Sequence, residues 1–174
     1  MTENRPERFY KNVEILMEFM ERIITKLHKE GKTKVVPEIV DVVKIILSPL
    51  SKESILTTFI NKSYKYWDQI YDKKEEFITK NAFDVFVDIP KEYIVKFVEM
   101  FSTPGLVEEK DRVTIQRHFE SFVRISINYV HQWQEPILID DQMTYRKQWK
   151  INDEPIDLKY HALKRNMKLL FPSS

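Results

Sequence analysis

Apolar residues in the first half of the chain recur three and four positions apart. Between Pro6 and Gly31 the set Val13, Leu16, Met17, Met20, Ile23, Ile24 and Leu27 follows this spacing, which lays it along one face of a helix. Proline suits a first helical turn and glycine a left-handed C-terminal position, so one long helix is predicted over 6–30. A shorter helix is predicted from Pro37 to before Pro49, with Ile39, Val42, Val43 and Ile46 inward. Its β-branched run VVPEIVDVVKII keeps a strand open as the competing reading. Ser51 is placed to cap a third helix to about Tyr71, carrying Ile55, Leu56, Phe59 and Ile60. Asp72 and Glu75 have capping-box spacing, which predicts a fourth helix over 73–88. Pro90 opens a fifth with the stripe Tyr93, Ile94, Phe97, Val98 and Phe101, and STPG at 102–105 ends it. A sixth is predicted over about 107–134, with Ile115, Phe119, Phe122, Val123, Val130 and Trp133 inward.

The period is lost after Pro136. In PILIDDQMTYRKQWKIND, the ILI and MTYRKQWKI runs flank DDQ and read as two short paired strands or an ordered extension. Asp153 is then expected to cap a last helix in which Ile156, Tyr160, Leu163, Met167 and Leu170 share a face. The fold class is therefore all-α, a compact bundle of about six or seven helices with a short irregular or β-hairpin insertion near 136–152. Residues 1–135 form the bundle, and 136–174 an extension and helix packed on the same domain.

Composition narrows the chemistry. With 174 residues, 43% of them apolar, and 28 Lys and Arg against 27 Asp and Glu, the chain is long enough for its own core and is not of disordered type. The absence of cysteine removes disulfides, Cys-ligated zinc and thiol nucleophiles, and fits a reducing compartment. Gly31 and Gly105 are the only glycines, so the clustered glycines of phosphate loops and of a nucleophile elbow are missing. Scarce glycine also argues against an all-β fold, whose tight hairpin turns favour it. The charged N-terminal stretch does not read as a signal peptide and no apolar run has transmembrane length, so the chain is expected to be cytoplasmic.

None of His28, His118, His131 and His161 has a partner at helical zinc-site spacing. The acid pairs Glu75–Glu76, Glu108–Glu109 and Asp140–Asp141 fall at expected helix starts or a turn, where they complement the helix dipole or bond the backbone. No catalytic, metal or cofactor residue is assigned, and an active site gathered from distant residues is the third-ranked reading. The leading candidate is the segment NYVHQWQEPILIDDQMTYRKQWK at 128–150. Trp133, Tyr145, Arg146 and Trp149 are the residue types that dominate interface hot spots. The expectation is that Trp133, Trp149 and Tyr145 bury against a protein partner or a second copy, with Arg146 and Lys147 at the rim. ILI is also suited to pairing with a partner's strand. A lid folded back on the bundle is the alternative. The second function class is nucleic-acid binding by the basic end of the chain, where Lys159, Lys164, Arg165 and Lys168 stand among aromatics. From 142 to 174 seven Lys or Arg face three acids, yet the near-neutral whole lacks a strong electrostatic footprint.

KFVEMFS followed by HFESFVRISINYVHQWQEP and a polar turn, over about residues 90–140, resembles small helical proteins of unassigned role from large nucleocytoplasmic DNA viruses. The resemblance implies a minor virion component or a factor of the infected cytoplasm. It carries over no catalytic signature.

Overall fold

The computed structural model describes residues 4–86, 88–134 and 136–156. Helix α1 (Arg5–Lys29) starts as its sequence predicts: Asn4 accepts the Glu7 N–H at 3.1 Å and Pro6 lies in the first turn. It ends where Gly31 takes φ +69°, letting Gly31 donate to His28 O and Lys32 to Leu27 O. These are the paired bonds of a Schellman cap. All seven predicted inward positions of α1 are buried, and Phe9 joins them.

The 37–48 stretch is helical, as α2 (Ile39–Leu47). Its face is rotated from the expected one: Ile39, Val40 and Leu47 are buried, whereas Val42, Val43 and Ile46 are half-buried. Packing of this short element on the bundle overrides its β-branched propensity.

Ser51 caps α3 (Lys52–Ser63), accepting the Ser54 N–H at 3.0 Å. The expected run to Tyr71 is interrupted by a 3-10 turn at Tyr64–Tyr66 before α4 (Trp67–Tyr71). The tightened turn lets the buried Trp67 donate its indole N–H to Ser63 Oγ at 2.9 Å and meet Tyr64 edge-on at 5.2 Å. A buried indole N–H left without an acceptor costs more than a locally tightened turn.

Asp72 does not open a helix. It ends α4, and Lys73 takes φ +56°, with Lys73 bonded to Ile70 O and Lys74 to Gln69 O. This repeats the cap of α1 with lysine in the glycine position. The predicted helix over 73–88 is likewise corrected: a π-helical turn at Phe77–Asn81 runs into a 3-10 turn at Ala82–Asp84. Thr79, Asn81, Asp84 and Val85 are weak helix formers, and the irregular path buries Phe77, Ile78, Ala82, Val85 and Ile89 together.

Helix α5 (Lys91–Ser102) begins after Pro90, and α6 (Glu109–Trp133) after Glu108. The Arg112 guanidinium donates to Phe101 O and Val107 O, fixing their junction. Helix α1 packs along α3 and α6. Phe9, Phe59, Phe86, Phe119 and Phe122 form the aromatic centre of the core, with centroids 5.0 Å apart for Phe9–Phe122 and 5.1 Å for Phe9–Phe59. Trp133, expected inward, is partly outside the core at 39% exposure.

Two hairpins follow. Strands β1 (Pro136–Ile139) and β2 (Gln142–Tyr145) pair antiparallel, Ile139 opposite Gln142. Strands β3 (Lys150–Ile151) and β4 (Glu154–Pro155) do the same. Their turns, Asp140–Asp141 and Asn152–Asp153, all take positive φ of 50–65°, the geometry of primed two-residue turns. Asp153 is thus a turn residue and not a helix cap. Ile156 is buried and non-helical, and its N–H donates to Trp149 O at 2.9 Å. The remaining expected residues of a last helix, Tyr160, Leu163, Met167 and Leu170, lie outside the described residues, as do Lys159, Lys164, Arg165 and Lys168. The architecture is a mostly helical, compact fold with a small β insertion.

Candidate interaction surface

The end of α6 organises the candidate surface. Tyr129 and Trp133, one helical turn apart, face the same side. Tyr129 donates its hydroxyl to Glu53 at the start of α3, at 2.9 Å. Burial, then this carboxylate, push its pKa up to about 12. Gln134 closes the helix through its N–H to Val130 O. Its buried side chain turns back to accept the Trp149 N–H at 2.8 Å.

Trp149 is the keystone of this arrangement. Its indole is edge-on to Trp133 at 5.1 Å and to Tyr129 at 6.0 Å, and its N–H donates to Asn61 Oδ1 on α3 at 2.9 Å. With 7% exposure it belongs to the bundle's own core, together with Ile156. The expectation that Trp149 buries against a partner is corrected, because its apolar surface is already covered within the chain. Here the folded-back lid is the arrangement adopted.

The other candidate residues divide around this latch. Lys147 places its ammonium over the outer face of Trp133, 5.7 Å from the ring centre, a cation–π contact that leaves the lysine in water. Arg146 is exposed and Tyr145 half-buried. The structure therefore brings Trp133, Lys147 and Trp149 together, with only the first two on the outside. Leu138 and Ile139, read in the sequence only as part of a strand-pairing run, are 66% and 54% exposed on β1. Their signal was the ILI run next to a turn of two aspartates, which closes the hairpin.

Other candidate chemistry is placed as follows. Glu108 sits at the N-cap of α6, where Lys110 and Lys26 hold its carboxyl below the usual range, and Glu75 pairs with Arg112 at 3.5 Å. His28 is exposed, His118 and His131 half-buried, and His161 outside the described residues. Glu120, two residues from His118 and on a different face of the helix, is fully buried on α6. Neither of its oxygens accepts a hydrogen bond among the described residues, and Lys73 Nζ stands 3.6 Å away. Among the described residues no helix is long and apolar enough to cross a membrane, and no three His, Asp or Glu side chains gather as a metal site. Comparison with protein-family models, curated proteins and solved structures returns no match to this chain.

Proposed function

We propose that the chain is a non-enzymatic interaction protein that engages a protein partner through the β1–β2 hairpin and the adjoining Trp133. The observation that carries this reading is the exposure of Leu138 and Ile139, on the two faces of β1, at 66% and 54%, and of Trp133 at the end of α6 at 39%. Exposed large apolar groups rimmed by charge mark contact sites more often than isolated ones do. Here Asp140 and Asp141 lie at the tip of the hairpin, and Arg146 and Lys147 near its base. Aromatic and arginine side chains at such a site supply most of the binding energy when desolvated.

The Trp149 latch gives the hairpin a fixed base, so little ordering cost remains for binding. Resemblance of residues 90–140 to small helical proteins of large DNA viruses supports placing the contact in a virion or an infected cytoplasm. A photo-crosslinking residue at Leu138, compared with one at Ile45, tests the reading. Ile45 is 69% exposed but lies on α2, not on the hairpin. The reading expects a discrete adduct from position 138 and none from position 45. Equal or absent crosslinking at the two positions would refute it.

A further inference from the structure

A second feature is independent of the hairpin. Between α1, α2, α5, α6 and the irregular 82–89 segment lies a cavity of about 70 Å³ whose lining side chains are all apolar. We propose that it is a binding site for a slim, uncharged hydrocarbon, either a free small molecule or the tip of an alkyl chain.

Three properties define this occupant. Water needs two to four polar partners in a buried site, and a space of roughly 10–15 Å³ holds one. The cavity has room for several waters, but no lining side chain offers a hydrogen bond, so an apolar guest is favoured over water. A charged or hydrogen-bonding head buried here would lose its hydration without compensation, which restricts the buried part of the ligand to hydrocarbon. The volume is about half that of the roughly 150 Å³ engineered cavity that takes benzene, so the guest is slimmer than an aromatic ring unless the walls give.

The walls are built to give. Met17 and Met20 line one side with flexible thioethers. Another part of the lining comes from the stretch containing the 3-10 turn at Ala82–Asp84, where fewer regular backbone bonds resist displacement. Phe83, Phe86 and Val43 line the cavity and are half-buried, whereas Leu47, Ile115 and Phe119 are fully buried. The half-buried set is where the lining comes nearest to solvent, and the proposal puts the mouth there, on the side from which the rest of an alkyl chain would extend.

Methionine methyl resonances read the site directly, because Met17 and Met20 line it and the buried Met100 does not. The probes are dissolved xenon and decanoic acid. Both are expected to shift Met17 and Met20 saturably without moving Met100, and Val43→Phe, which plugs the mouth, is expected to abolish the shifts while keeping the helical spectrum. Xenon binding without decanoic acid binding identifies a free small guest; binding of both identifies a chain tip. Should Val43→Phe not fold, displacement of xenon by decanoic acid in the native chain serves in its place for the chain tip, and saturable xenon shifts confined to Met17 and Met20 serve for the free guest. No shift with either probe, or equal shifts at Met100, overturns the proposal.

Discussion

Replacing Trp149 by alanine removes the largest side chain that holds the 149–156 segment to the bundle. The indole is almost completely buried, contacts two aromatic rings and donates to Asn61. Truncating a buried tryptophan costs about 3–5 kcal/mol when the site cannot relax. The latch account expects the segment to lift away while α1, α3 and α6 stay packed, so that the loss falls on the local opening equilibrium. A loss of about 3 kcal/mol there speeds exchange through that opening by roughly 100-fold, at 1.4 kcal/mol per tenfold. The Trp149 and Ile156 amides, bonded to Gln134 Oε1 and Trp149 O, report it in hydrogen–deuterium exchange. Trp149→Phe keeps most of the apolar contact and loses the bond to Asn61, so about 1 kcal/mol is expected. The core amides of α1 and α6 should exchange as in the native chain. Unchanged protection at Ile156 in the alanine variant would refute the latch, and an equal loss throughout α1 and α6 would mean that the segment opens only with the whole bundle.

Other predictions concern groups whose burial is unusual. Tyr129 is held protonated to about pH 12 against an ordinary 10.0; its contribution is complete below 10 and is lost as pH rises toward 12. Tyr129→Phe should flatten the alkaline limb of the stability curve, and superimposable limbs would contradict this. Burial lowers the His118 imidazole below its ordinary 6.5, so the stability it supports is complete above that value and declines as pH falls through the folded pKa. His118→Gln should resist acid better in urea melts at descending pH; parallel loss in both chains would contradict the assignment. Lys73→Gly relieves a left-handed backbone by about 1 kcal/mol yet removes a cation 3.6 Å from the buried Glu120. Because Lys73 is half-exposed, a net loss of about 1–2 kcal/mol is expected, below that of a fully buried pair. Adding Glu120→Gln should restore part of it in a double-mutant cycle, and simple additivity would argue against coupling.

How much of this was legible follows from how local each cause is. The boundaries of α1, α5 and α6 can be read because caps, breakers and a 3.6-residue stripe agree there. The 73–88 stretch cannot, because Asp72 and Glu75 satisfy a capping pattern while the chain instead reverses at Lys73, a lysine in a glycine's conformation. Few glycines argue against hairpins only if glycine is required. Asp140–Asp141 and Asn152–Asp153 make both turns with residues that enter positive φ more readily than other non-glycine residues. In the 128–150 segment the sequence could not separate inside from outside. Trp133 and Trp149 are chemically alike, and only the Gln134 and Asn61 bonds, set by tertiary packing, decide which is buried.

The most direct test of the interaction reading is the double substitution Leu138→Asp, Ile139→Asp, with the mass of the chain's complexes compared in the cells that express it. Both side chains are exposed, so the melting temperature should stay within about 2 °C of the native value, as expected for surface changes. The account expects the native chain to run in a complex heavier than its 21.1 kDa and the variant to run alone. An equally heavy complex for a correctly folded variant would contradict it.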